Sequence, residues 1–264
     1  MIFASDLDRT LIYSKKFVKE DMKNIRLIET KEEESISYMT EKAIDQLKEL
    51  SKKASFIPVT TRTIAQYKRI HLFRDEIKPK YAITSNGGNI IINGEVDTNW
   101  NEKIRKSIGA DSLATEDVLK KFEDIKSDTW LLKSHIAEDL FHYFIVDREN
   151  VPLKELETFS DFLNENNWKT SLQGRKLYFV PQCVCKWKAL EYIKDREEET
   201  FIASAGDSLL DLPMLKMADY AVVPKHGEIY KFYEKGKDDH IIFTESEGII
   251  AAEEILQKII GCTK

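Results

Sequence analysis

Asp6 and Asp8 stand two residues apart, directly after the apolar run Ile2-Phe3-Ala4-Ser5 and ahead of Thr10-Leu11-Ile12-Tyr13. Two carboxylates at that spacing project to the same side of a chain that is still extended. Like charges in a cleft repel, so the pair needs a cation or a shared proton. A hard divalent cation with oxygen ligands satisfies it, and Mg²⁺ is the first candidate. A carboxylate fixed beside such a cation can attack phosphorus and form an aspartyl-phosphate. Taken alone, the same residues also fit an acidic turn after a strand.

Three further places fit that chemistry. Asp207 and Asp211 follow the apolar run Phe201 to Ala205, with Gly206 relieving the turn. Asp207 then stands on a neighbouring strand where Asp6 stands on its own, and Asp211 lies over it if a helix begins there. Carboxylates from two strand ends would complete an oxygen cage; Asp at a helix start also serves capping and dipole roles. Thr60 closes the run from Ser55 and leads into Thr61 and Arg62. A hydroxyl and helix-start amides there can bind phosphoryl oxygens, although either threonine can equally be an N-cap. Lys186 sits at a strand-to-helix junction, where an ammonium can neutralise a transferring phosphoryl group. A solvated surface lysine is the plainer reading of Lys186 alone.

The elements that must hold these residues alternate strand and helix. Short apolar runs at Ile2–Ser5, Ser55–Thr60, Tyr81–Ser85, Phe201–Ala205, Tyr220–Val223 and His240–Phe243 read as strands. Pro58 argues against a fully paired central position for the second. Helical spacing covers Ala43 to Leu50 after the N-cap Thr40, Thr63 to Phe73, Trp187 to Lys194, Leu209 to Met217 and the tail. The fold class is α/β, a doubly wound parallel sheet with helices on both faces. Ser14 to Met39 reads as a β-hairpin flap with a charged tip at residues 31–34, directly after the acidic motif. Between Asn89 and about Val180 the texture changes to paired strands and two helices, an α+β unit. The expected division is a core of residues 1–86 and 181–264 with an inserted cap at 87–180.

With 264 residues and 42% hydrophobic content, the chain can bury a core and a second, smaller domain. A net charge of −6 excludes a broad nucleic-acid surface. No secretory leader or bilayer-spanning stretch is visible, so a cytoplasmic, membrane-free protein is expected. Three cysteines do not make a disulfide framework, and Cys183-x-Cys185 fits one strand face better than a metal site. Trp130, Trp168 and Tyr143 fit the cap's own core better than a binding wall, and His135 and His142 fit structural roles.

Together the four segments resemble the haloacid dehalogenase-like phosphatase superfamily, in the Cof-type and sucrose-phosphatase-like subgroup with a large α+β cap of the C2 type. Asp6-x-Asp8-x-Thr10 matches its first motif, Thr60 its second, Lys186 with Ala189-Leu190 its third, and Gly206-Asp207-Ser208-x-x-Asp211 its fourth. The resemblance implies a Rossmann-like core and a phosphatase acting on a small phosphorylated metabolite, such as a sugar phosphate. Asp6 would be the nucleophile and Asp8 the acid, then the base. Thr60 and Lys186 would hold the phosphoryl oxygens, with Thr61, Arg62, Asn86 and Gly87 close to the substrate. Mg²⁺ would take the side chains of Asp6 and Asp207 and the carbonyl of Asp8, with Asp211 binding its water or steadying Lys186. Thr61, Trp187 and Arg9 stand where glycine is frequent. A phosphotransferase or phosphomutase would use the same motifs, and a non-catalytic phospholigand-binding protein is the remaining alternative. The oligomeric state is not readable.

Overall fold

The computed structural model describes residues 1–18, 22–233 and 238–263; residues 19–21 of the expected flap lie outside them. In chain order the first half of the protein runs β1 (Ile2–Ser5), β2 (Tyr13–Ser14), β3 (Ile25–Lys31), β4 (Glu34–Thr40), α1 (Glu41–Leu50), β5 (Ser55–Pro58), α2 (Ile64–Lys68), β6 (Tyr81–Thr84), β7 (Asn89–Ile92) and β8 (Glu95–Val96). Next come α3 (Thr98–Asp111), α4 (Thr115–Phe122), β9 (Leu131–Ala137), β10 (Phe141–Val146), α5 (Leu153–Glu165), β11 (Trp168–Gln173) and β12 (Lys176–Pro181). The chain then closes with α6 (Lys186–Glu197), β13 (Ile202–Ala205), α7 (Leu212–Met217), β14 (Tyr220–Val223), α8 (Glu228–Phe232), β15 (Ile241–Phe243) and α9 (Ile249–Gly261).

The central sheet is parallel, in the order β15-β14-β13-β1-β5. Its strands are short, and β1 and β13 are buried throughout, as a sheet covered on both faces requires. Val222 packs in one core with α1 and α9, whereas Ala221 and Val223 pack in another with Leu215 and Ile229. Alternate side chains of one strand thus serve helices on opposite faces. Pro58 ends β5 at the margin of this sheet, where a missing amide is tolerated. Beyond it, one parallel bridge from Val59 to Ile83 brings β6 alongside.

The expected flap is a three-stranded antiparallel sheet, in the order β2-β4-β3. Thr40 ends it and caps α1, its hydroxyl accepting from the Ala43 amide at 3.0 Å. The single helix expected from Thr63 to Phe73 is broken: α2 stops at Lys68, and a π turn follows over Phe73–Ile77. Two helices, α3 and α8, had no sequence signal. Only Trp100 and Ile104 of α3 are buried, too few for a visible stripe.

Two compact units result, Met1–Asp97 with Lys186–Lys264, and Thr98–Cys185. These replace the expected boundaries at 86/87 and 180/181. Residues 89–96 belong with the first unit because β7 pairs along the whole of β6, from Tyr81 with Ile92 to Thr84 with Asn89. Asn93 and Gly94 then turn the β7–β8 hairpin at φ 51° and 90°, the left-handed pair that such a turn demands. At the other end, residues 182–185 turn back on the second unit, the Gln182 amide donating to the Asn167 carbonyl. Cys183 and Cys185 therefore lie in a buried turn and not on a strand face.

The second unit is an antiparallel sheet, β11-β12-β10-β9, with its own core of Phe122, Phe144, Phe159, Phe179, Trp130 and Trp168. Both indole N–H groups are satisfied by backbone carbonyls, of Ile125 and Leu113. Tyr143 lies on the opposite sheet face, stacked on His135 at 4.8 Å. The molecule is a mixed α/β protein with a parallel core sheet and additional antiparallel sheets.

Candidate active site

Parallel register places Ser5 beside Ala205, so the residues after β1 and β13 leave the sheet together. The Asp6 amide donates to the Ala205 carbonyl at 2.9 Å, extending that pairing by one residue. Asp6 and Asp207 thereby come to the carboxyl end of adjacent strands, where open α/β sheets bind ligands. Asp211 joins them, and one ligand oxygen from each of the three lies within 4.8 Å of the others. All three side chains are buried.

Lys186, the first residue of α6, lies 180 residues from Asp6 in sequence and 25 from Asp211. Its ammonium donates to Asp6 Oδ1 at 2.6 Å and to Asp211 Oδ1 at 2.5 Å. Burial alone would favour the neutral amine, but the carboxylates of Asp211 and Asp6 outweigh it and keep Lys186 charged. One ammonium cannot neutralise three carboxylates. Burial, with Lys186 pulling down and Asp211 pushing up, leaves Asp6 raised to about 7. Asp207 is also held well above the ordinary carboxylate range by burial and by Asp6. Such a cluster is short of positive charge, which suits it to a hard cation.

The sequence expects Gly206 to ease a turn. Its backbone is not left-handed; the constraint is contact, since a Cβ would lie 2.5 Å from Asp211 Cβ. Asp211 does not cap α7 with its side chain. Its Oδ2 instead accepts from the amides of Asp207 (3.1 Å) and Ser208 (2.9 Å) and from Ser208 Oγ (2.8 Å). Asp211 therefore knots the 206–208 turn with one oxygen and steadies Lys186 with the other.

Asp8 is the member of the expected metal set whose side chain is not in this group. Its carboxylate is gripped by Arg62, Nε to Oδ2 at 2.7 Å and Nη2 to Oδ1 at 2.8 Å. After Asp8 the chain turns, with Arg9 at φ 66°, a left-handed backbone that favours glycine. Arg9 reaches Asp207 at 3.6 Å and the His226 carbonyl at 3.1 Å. Thr10 Oγ1 donates to Asp6 Oδ2 at 3.2 Å.

Thr60 is fully buried, its Oγ1 accepting from the Arg62 amide at 3.2 Å. Asn86 donates its amide to the Thr60 carbonyl, and Ser85 donates to that of Arg62. Ser85, Asn86 and Gly87 form a left-handed run at φ 49°, 57° and 98°. Two non-glycine residues in that region carry strain that the docking onto residues 60–62 must outweigh. Thr61, half-buried, is not left-handed, so no glycine is required there. The residues that sequence reasoning missed are Glu29 and Ser37, which bond Arg62, and Arg69, which bonds Glu29. Glu29 is a charged residue beside Ile28 inside a strand, and nothing in composition marks it as buried.

The family model for sucrose-6F-phosphate phosphohydrolase matches residues 1–259. The chain belongs to that family. It is accordingly a phosphatase of the haloacid dehalogenase superfamily, acting on a phosphorylated small molecule. Among solved structures, sucrose-phosphatase from Synechocystis sp. PCC6803, in complex with sucrose and phosphate, is similar at 16% identity and TM-score 0.70, covering 99% of this chain and 97% of that one. A subclass IIB sugar phosphatase of the haloacid dehalogenase superfamily has TM-score 0.59 at 13% identity, over 100% and 99% of the two chains. A trehalose-6-phosphate phosphatase related protein has TM-score 0.54 at 17% identity, over 99% of each. No curated protein sequence matches the chain. These likenesses concern the fold; the family assignment rests on the sequence model.

Proposed function

We infer that this phosphatase hydrolyses a small phosphorylated sugar, with Mg²⁺ and through an aspartyl-phosphate on Asp6. The observation that carries the reading is the meeting of Asp6, Asp207, Asp211 and Lys186, from three distant segments, at adjacent strand ends. Asp6, Asp207 and the Asp8 carbonyl would hold the cation, with Asp211 beside them. When bound, Mg²⁺ supplies positive charge that draws substrate phosphate and nucleophile together.

The remaining steps belong to the chain's own groups. Asp6, whose Oδ1 accepts from Lys186 and Oδ2 from Thr10, would attack phosphorus with one carboxylate oxygen, forming its bond to phosphorus as the ester P–O bond breaks. Lys186 and Thr60 would spread the phosphoryl charge, Lys186 as a fixed ammonium already paid for by Asp211. Asp8 would give its proton to the leaving oxygen and then take one from the water that cleaves the acyl phosphate. In the first step the Asp8 oxygen that carries the proton would turn from Arg62 to the leaving oxygen, while the other oxygen keeps its Arg62 bond. Arg62, Thr61, Asn86 and Gly87 would border the phosphate. The Thr98–Cys185 unit is proposed to set specificity, with Tyr143 and His135 on the sheet face opposite its aromatic core.

Phosphate release from a panel of hexose and disaccharide phosphates, nucleotides and an aryl phosphate tests this reading. Release that needs Mg²⁺, stops with EDTA and ranks sugar phosphates first is the expected result. A nucleotide preference, or release unaffected by EDTA, would contradict it.

A further inference from the structure

The flap carries a buried acid that the steps above do not use. Glu29 and its neighbour Ile28 are both 0% exposed, although successive side chains of a regular strand point to opposite faces. The register of β3 with β4 shifts on each side of Glu29, which pairs with Ser37 and also bridges to Ile70. Such a bulge re-aims a side chain. Glu29 Oε2 accepts from Arg62 Nη1 and from Ser37 Oγ, both at 2.6 Å, and Oε1 accepts from Arg69 Nε at 3.1 Å. Arg62 Nη2 also donates to Ser37 Oγ at 3.2 Å. One edge of the guanidinium is thus fixed by the flap, and the other grips Asp8.

We propose that Glu29 is a positioning residue for proton transfer: it fixes the plane of Arg62 and thereby aims the carboxyl of Asp8. This rests on Asp8 being the proton donor. A guanidinium presents its donors as a rigid fork, so constraining Nη1 sets where Nε and Nη2 point. A buried arginine gripped only by a half-exposed aspartate would have no such fixed plane. The flap is then a structural support of the acid–base machinery as well as an extension of the fold.

The test compares two esters. An alkoxide leaving group needs a proton as its P–O bond breaks, and nitrophenolate does not, so only the alkyl ester reads the proton donor. In Glu29→Gln, kcat/KM, which covers the transfer to Asp6 and not the later attack of water, falls by about 10- to 100-fold on a hexose 6-phosphate and less than about 3-fold on p-nitrophenyl phosphate. Asp8→Asn shows the same selectivity more strongly. Equal losses on both esters, or none on either, overturn the proposal. Should Glu29→Gln fail to fold, Ser37→Ala loosens the same bridge and gives a smaller loss confined to the alkyl ester; a loss without selectivity overturns it. If wild type cleaves neither ester, the hydrolytic reading fails separately. The positioning claim is then decided by a crystal structure of Glu29→Gln. Loss of the two-point Arg62–Asp8 contact supports it, and an unchanged contact overturns it.

Discussion

At the scale of single residues, the site is a charge imbalance held in place by one lysine. Lys186→Met removes the ammonium hydrogen-bonded to Asp6 and Asp211 and leaves both buried carboxylates without it. The variant should lose about 3–5 kcal/mol of stability at pH 8, measured by chemical denaturation. A loss below about 1 kcal/mol would contradict the account. The raised carboxylates set a second expectation. With its folded value near 7 against an ordinary 3.8, Asp6 binds a proton more tightly folded than unfolded between those values. Metal-free protein therefore loses stability as pH rises through that window, with the contribution fully present below it. A divalent cation needs the ionised cluster, so Mg²⁺ affinity should weaken by up to about tenfold per unit as pH falls below 7. Calorimetry at pH 6 and 8 should also detect released protons; equal affinities without proton release would contradict the assignment.

The legibility of these residues differed for physical reasons. Asp6, Asp207 and Asp211 could be read because their positions follow apolar runs whose ends the parallel register aligns. Lys186 could be placed at a helix start, but its two partners depend on packing between distant segments. The rotation of Asp8 toward Arg62 was not readable, since it depends on Glu29, and Glu29 on a bulge with no turn residue to announce it.

Among the elements, the site depends on close backbone approach at two glycines. A Cβ on Gly227 would lie 2.8 Å from the Asp207 carbonyl oxygen, the same oxygen that accepts from the Ile229 amide. Gly227→Ala should cost about 1–3 kcal/mol and weaken Mg²⁺ binding together, because the loop displaced is the one carrying Asp207. Thermal melts with and without Mg²⁺ read both effects; a destabilised variant with unchanged Mg²⁺ affinity would separate the loop from the site. Strands and capped helices were legible where periodicity was strong, as in α1 and α5, each with a regular buried stripe. The break after Lys68 and helix α3 were not, because tertiary contacts outweigh weak local preference there.

For the whole molecule, the second unit owns a separate aromatic core, centred on Phe122 against Trp130, Phe144, Phe159 and Phe179. Phe122→Ala should cost about 3–5 kcal/mol. Hydrogen exchange should show the lost protection confined to residues 98–185, and uniform loss across the chain would argue against two units. No helix among the described residues is long and apolar enough to cross a membrane. The central claim remains covalent chemistry at Asp6. A rapid-quench turnover with a hexose 6-phosphate and Mg²⁺, followed by borohydride reduction and peptide mass mapping, tests it most directly. Homoserine in place of Asp6 is the expected result, absent in a control without substrate. Turnover with no reduced residue, or with reduction at another carboxylate, would contradict it.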